Sequence, residues 1–381
     1  MRARLAADFE RFADGLPRDF ADHAREVYRV NLTARYLGQD LPHPVGKGSG
    51  QLSLNEKQLA EDAAAGLAFV VLKTVIAEDD AGARSMAAWA IHETRMTVER
   101  RVVDGRDRGW TVTWKGRGWD RSFDDYLRLV RAGRALTREG RLLVIPSVKY
   151  HLPKAGEAFR ESEYRHTTRA LADAWGEAPL LIEKDFSPTL AGDDLAGDRA
   201  AILRWLAGVP ALIRAASPLP ARIAMKLMNA RFDDRFQLEM LRAASGADAL
   251  VVFNRLFDPE LRVAYGGAEL SERNLRVLEA EGTPGSAAPP ELCGTGDIHS
   301  GRLIAAYARR GCSAVQVHTF FQLPLTEYAA RAGSRTERAL HCLIFHPEDG
   351  LIAEMARLEE EGILHRRGGE LHFLDLCGGR C

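Results

Sequence analysis

Eight short runs of apolar, largely β-branched or small residues, separated by stretches with helical spacing, constrain this chain more than any other feature. They fall at Val45–Ser49, Ala68–Lys73, Leu142–Val148, Leu180–Phe186, Arg222–Leu227, Ala249–Phe253, Glu291–Thr295 and Ala314–Thr319. A run that stays apolar instead of alternating fits a strand covered on both faces, and regular alternation of strands with helices signals parallel βαβ units. Eight such units predict the α/β class and one closed (β/α)8 TIM barrel. The 381 residues suffice for one large domain with appendages. The expected division is a helical leader over 1–30, the barrel over 31–335 and a helical extension and tail over 336–381.

Three appendages follow from local pattern. Leu5, Phe9, Phe12 and Leu16 recur at helical spacing in a leader of mixed charge, which predicts packing on the barrel rather than on a membrane. Thr97–Val103 and Trp110–Trp114 flank the turn-rich stretch Asp104–Gly109, so a β-hairpin is expected after the second strand. The Gly-rich end holding Cys377 and Cys381 reads as a frayed terminus rather than a redox pair. With Cys293, Cys312 and Cys342, the cysteines form neither metal knuckles nor a disulfide framework, and no metal site is expected.

Charge and hydropathy narrow the partners. A formal net charge of -1 supplies no field to draw the chain onto nucleic acid. Asp8, Glu10 and Asp14 spoil the pattern of a secretory signal, and no stretch approaches the roughly 20 apolar residues of a membrane span. The expected setting is the cytoplasm and the expected partner a small-molecule substrate, with a homodimer as an open alternative to a single chain.

Barrel sites form where strands end, so polar residues at the C-terminal ends carry the most information. Strand seven runs into Cys-Gly-Thr-Gly-Asp-Ile-His-Ser-Gly, residues 293–301, and strand eight into Val-His-Thr-Phe, residues 317–320. Glycines allow close backbone approach, and successive N–H groups at loop–helix junctions favour an anion. A phosphate cradle after strands seven and eight is the functional reading; tight turns that need glycine anyway are the structural one.

Several ordered matches then resemble the dihydroorotate dehydrogenase family. Gly294–Gly301 followed by Gly311-Cys-Ser-Ala-Val-Gln-Val-His-Thr319 is similar to the family's FMN phosphate segment, G-x-G-G-I-x-S/T-G…G-A-x-x-V-Q-x-x-T. Tyr36-Leu-Gly-Gln-Asp-Leu-Pro-His-Pro-Val-Gly46 resembles its opening motif, and Gly48-Ser49-Gly50 stands for the small residues under the isoalloxazine ring. Lys73-Thr74 resembles its K-S/T pair, Met225-Lys226-Leu227 its V-K-L, Asn254 the Asn ending strand six, and Tyr265-Gly266-Gly267 its Gly-Gly-leading loop.

The resemblance implies an FMN-dependent oxidoreductase. Its cofactor contacts would be Gly48, Ser49, Lys73, Thr74, Lys226, Gly266, Gly267, Gly294, Thr295, Gly296, Asp297, His318 and Thr319. Hydride passes between substrate and flavin N5, and a Cys or Ser removes a proton. A cation near the N1 edge would stabilise reduced flavin, which makes Lys226 and Lys73 the candidates. For both lysines a structural salt bridge, with Glu183 at the end of strand four as a partner, is the alternative. Asn254 either meets the substrate or shapes a turn.

Departures from the family pattern are equally specific. Where the family has E-L-N-x-S-C/S-P-N, this chain has Glu183-Lys-Asp-Phe-Ser-Pro-Thr189, one residue shorter; the Asn becomes Asp185, and Ser187 is left as base or as a turn residue. In the substrate loop, Trp114 and Asp120 replace both pyrimidine-contacting asparagines. Trp114 either faces substrate or packs in the core. Loss of paired amide contacts predicts rejection of dihydroorotate and a changed small cyclic substrate. Two alternatives stand beside this: a true dihydroorotate dehydrogenase with a divergent loop, and a barrel that has lost catalysis and serves as a binding subunit.

Overall fold

The computed structural model describes residues 1–87, 96–103, 105–114, 118–186, 198–229, 233–258, 263–281 and 289–378. Its centre is a parallel sheet of ten strands. Their order is Val75–Ile76, Ser147–Lys149, Leu180–Asp185, Ala221–Lys226, Ala249–Val252, Glu291–Thr295, Cys312–Val317, Val45–Lys47, Phe69–Val71 and Leu143–Ile145. All eight apolar runs contribute, and most strand residues are fully buried, as expected of strands covered on both faces.

The two ends of this order belong to the same stretches of chain. Val70 pairs with Val144 at one end, and Val75 pairs with Val148 at the other. Only Pro146, which has no N–H to give a ladder, separates Leu143–Ile145 from Ser147–Lys149. Its carbonyl still accepts from Glu183 N at 2.8 Å. The sheet therefore curls back on itself in a barrel-like form, with helices on its outer face. Phe123–Arg138 illustrates how they dock. Ser122 caps it by accepting from Asp125 N, and Phe123, Tyr126, Leu127 and Val130 form its buried stripe. Gly133 lets it approach the sheet, since a Cβ there would lie 2.6 Å from Val144 Cγ1.

The leader forms two helices, Arg2–Phe12 and Phe20–Tyr28. Phe9 stacks on His341 with ring centroids 4.2 Å apart, and Phe12 meets Phe345 edge-on, so the leader docks on the C-terminal helix Arg335–Phe345. Among the described residues no helix is long and apolar enough to cross a membrane. The tail is not frayed at Cys377. Leu371–His372 pairs with Val30–Asn31, and Cys377 is buried with its thiol donating to Cys312 O at 3.5 Å. Cys381 lies outside the described residues.

The expected hairpin is present, with strands Met96–Val103 and Arg106–Trp114. It is half of a larger antiparallel sheet. Val263–Gly267 pairs with Arg106–Trp114, and Leu256–Asp258 pairs with Val263–Gly267. Gly266 and Gly267 thus sit on a strand opposite Val112 and Thr111, not in a loop.

Candidate functional site

A cavity lies at the C-terminal ends of the parallel strands and encloses about 860 Å³ of non-atom space, its mouth to solvent included. Of the thirteen residues expected to hold a flavin, twelve line it: Gly48, Ser49, Lys73, Thr74, Lys226, Gly266, Gly267, Thr295, Gly296, Asp297, His318 and Thr319. Asp185 and Asn254, expected at the substrate, line it too. Six separate segments supply the twelve. The four-stranded sheet brings in Gly266 and Gly267, and Gly267 is required there because a Cβ would lie 2.0 Å from Trp110 O.

Beneath Gly48 lies a buried polar layer. Lys226 Nζ donates to Gln316 Oε1 at 2.9 Å and stands 3.7 Å from Glu183 Oε1. Gln316 Nε2 donates to Glu183 Oε2 at 2.5 Å, and the Tyr36 hydroxyl lies 3.5 Å from the same oxygen. Burial pushes the Glu183 carboxyl above the usual range, and the Lys226 charge opposes that shift. The salt bridge from Lys226 to Glu183 is present, and Lys226 also lines the cavity. Another chain of hydroxyls runs beside it, Ser49 Oγ to Thr74 Oγ1 at 3.0 Å and Thr74 Oγ1 to Ser147 Oγ at 3.0 Å.

The lining is electropositive. Lys73, Lys149, Lys226 and Arg255 face two carboxylates, Asp185 and Asp297, a formal net charge of plus two. His318 adds no charge at neutral pH. Burial and the surrounding cations Lys226, Arg255, Lys73 and Lys47 push its imidazole down to about 3. Such a wall favours an anionic ligand.

The Gly-rich turn is held from behind. Asn274 Nδ2 donates to Thr295 O at 2.7 Å, and Tyr307 Oη donates to Thr295 O at 2.8 Å and to Gly296 O at 3.1 Å. A trans peptide's N–H points opposite its C=O, so the Gly296 and Asp297 N–H groups are turned away from Asn274 and Tyr307. Gly296 has φ +100°, and a Cβ there would lie 2.5 Å from Asn274 Nδ2. Asp297 has φ +51°, the left-handed geometry that Asp tolerates better than most. Its carboxylate lies 3.4 Å from His299 Nδ1 and 3.5 Å from Ser271 Oγ. Arg302, one helical turn onward, pairs with Asp349 at 2.8 Å.

Other expected residues fall differently. Gly294 does not line the cavity; it makes room for the Tyr307 ring, 2.6 Å from where its Cβ would be. Asp120 is exposed and absent from the lining. The buried residue of that loop is Trp119, whose N–H donates to Thr74 O and whose indole donates to Ser122 O at 2.8 Å. Trp114 ends a strand opposite Met96, and its expected side-chain contact lies outside the described residues. Ser187 also lies outside them. Sequence reasoning missed Lys149, which ends a strand, and Arg255, which lies just beyond the end of Ala249–Val252, the kind of place where barrel sites are sought.

No family model matches the chain, and no curated protein matches it.

Proposed function

We propose that the chain is an FMN-dependent oxidoreductase of the dihydroorotate dehydrogenase-like superfamily, built on a (β/α)8 barrel and acting on a small cyclic substrate other than dihydroorotate. The barrel reading counts the ten strands as eight, since 69–76 and 143–149 each supply two segments. One observation carries the functional reading: twelve residues expected at a flavin from six separate segments line a single cavity of net positive charge.

The residues present fit the cofactor. A Cβ at Gly48 would lie 3.5 Å from Lys226 Nζ and 3.4 Å from Gln316 Oε1, so glycine leaves open the space over the ammonium that a planar ring needs. Bound FMN would supply the two-electron chemistry of hydride exchange. Lys226 supplies a fixed cation that stabilises negative charge at the ring edge, and Glu183 and Gln316 hold it in place. The turn Thr295–Asp297 supports a phosphate through its backbone. Substrate selectivity departs from dihydroorotate because Asp120 is exposed where an amide contact would be needed.

The visible spectrum of the purified protein tests the first half of this reading. A yellow protein that releases noncovalent FMN on denaturation is expected. A protein that stays colourless after incubation with excess FMN would overturn it. Anaerobic stopped-flow mixing tests the second half: dihydroorotate should reduce the flavin slowly, and rapid bleaching at micromolar concentrations would make the chain a dihydroorotate dehydrogenase.

A further inference from the structure

The carboxylate beneath Gly48 is oddly placed for an ion pair that only supports the fold. Glu183 is fully buried in the strand Leu180–Asp185, and Lys226 Nζ stands 3.7 Å from its Oε1, beyond hydrogen-bond reach. The ammonium donates instead to Gln316 Oε1 at 2.9 Å. Glu183 Oε2 accepts from Gln316 Nε2 at 2.5 Å and from the Tyr36 hydroxyl at 3.5 Å, but Oε1 is buried with no hydrogen-bond partner among the described residues. A buried pair kept for stability has to close and satisfy its oxygens to offset the cost of desolvation. Here one oxygen is unmatched, and its charge is held only by the ammonium nearby.

The surroundings decide how that charge responds. Lys226, Tyr36, Cys293, Tyr126 and, on its own strand, Asp185 are the titratable groups that act on Glu183. Burial pushes Tyr36, Tyr126 and Cys293 up, so all three stay neutral at working pH. Burial raises the Glu183 carboxyl, Lys226 is the cation that opposes this, and the Asp185 carboxylate adds to the rise. Lys226 also lines the cavity, and Gly48 leaves the space over its Nζ open. An anion seated in that space competes with Glu183 for the same ammonium, and across a low dielectric it repels the carboxylate as well.

We propose that Glu183 takes up a proton when the cavity's redox cofactor is reduced, and so balances the charge that reduction adds. This rests on the cavity holding FMN. Hydride transfer oxidises the substrate and brings the ring two electrons and one proton, which leaves one negative charge at the edge over Lys226. Glu183 then gains one proton from solvent by way of Lys226, which hands a proton down to Oε1 and is reprotonated from the cavity side. The Glu183–Lys226 pair passes from net zero to net plus one, matching the ring; reoxidation of the ring releases the proton again. Glu183 does not line the cavity and acts through Lys226, as a positioning residue whose charge sets the potential.

The midpoint potential of the FMN-loaded protein, followed by dye-mediated spectroscopic titration from about pH 5 to about pH 9, counts the protons. For a two-electron couple each proton taken up contributes about 30 mV per pH unit. The parent should show about 60 mV per pH unit between the Glu183 pKa values of the oxidised and reduced forms, and about 30 mV above the higher of them. Glu183→Gln is neutral in both forms and should show about 30 mV per pH unit through the same range. A parent slope of one proton throughout, or a steep slope that survives in Glu183→Gln because the ring itself takes the proton, would overturn the inference. If the variant does not fold, the parent's reduced-minus-oxidised infrared spectrum decides: a carboxylic C=O band that shifts in deuterium oxide has to appear on reduction, and its absence refutes Glu183 as the acceptor. Asp185 does not supply that band, because burial would raise its carboxyl but Lys149, Lys226, Lys184 and Arg255 together hold it down to about 2. The colour of the preparation is read first. Bound FMN with a one-proton slope sinks this inference alone, whereas a protein that binds no FMN sinks the flavin reading and this inference with it.

Discussion

Gly48→Ala separates a glycine kept for a ligand from one kept for the fold. Gly48 follows the strand Val45–Lys47 and donates its N–H to Val317 O at 3.0 Å, a bond that alanine preserves. Its φ is not in the positive range, and the added Cβ would meet Gln316 Oε1 at 3.4 Å and Lys226 Nζ at 3.5 Å, ordinary contacts. The fold should therefore tolerate the methyl group and gain about 0.4–1 kcal/mol from a less mobile unfolded chain. A ring packed over Lys226 would not tolerate it. Overpacking costs about 1–3 kcal/mol, which is about a 5- to 150-fold weaker Kd for FMN. Fluorescence quenching of FMN by apoprotein measures the affinity, and thermal denaturation without FMN measures the stability. Gly50→Ala is the contrast, because its Cβ would fall 2.1 Å from His318 Nε2 and should lower Tm directly. If Gly48→Ala melts no lower and binds FMN as tightly as the parent, the ring does not lie over Gly48 and the orientation proposed for the flavin is wrong.

Two further outcomes follow from the charges around the cavity. The hydrogen bond to Asp297 raises the pKa of His299, so the pair's stabilisation is complete below the unfolded value of about 6.5 and is lost as pH rises through the higher folded value. Over that rise Asp297 loses its compensating cation, and repulsion of a phosphate about 5 Å away reaches at most about 3 kcal/mol at an effective dielectric near 20. FMN affinity, titrated from about pH 6 to about pH 9, should fall in the parent and be tighter and flatter in Asp297→Gly. Lys226→Met strands the Glu183 carboxylate and should cost about 3–5 kcal/mol in urea denaturation, toward the lower figure because Glu183 takes up a proton readily. Lys226→Met/Glu183→Leu should recover most of that stability without recovering FMN.

The strands were legible because strands buried on both faces leave continuous apolar runs, and the cavity was legible because its residues follow those runs directly. What failed to show in the sequence is what depends on contacts between distant segments. Gly266 and Gly267 read as loop glycines, yet their strand exists only because it pairs with Thr111–Thr113, far away in the chain. Gly294 carries the spacing of a phosphate loop but answers to the Tyr307 ring behind it. Cys377 sits in a glycine-rich tail that composition alone marks as loose, and it is buried through its contact with Cys312.

Asp120 and Trp119 show a different limit. A gapless reading of the loop 114–127 puts Asp120 at a substrate contact, but a loop can turn by one residue without changing the helix that follows it. Here Ser122 fixes the start of Phe123–Arg138, while Trp119 takes the buried place and Asp120 the exposed one. Polar recognition lost from that loop has to come from elsewhere if a polar substrate is to bind, since an apolar wall would leave its hydrogen-bonding groups unmatched. The ends of the third and fourth strands offer Lys149 and Asp185, whose positions the sheet fixes by register. Groups held on strands are placed more rigidly than groups on loops. A site that moved its contacts from loop to strand would therefore select its substrate by a fixed edge rather than by closure around it.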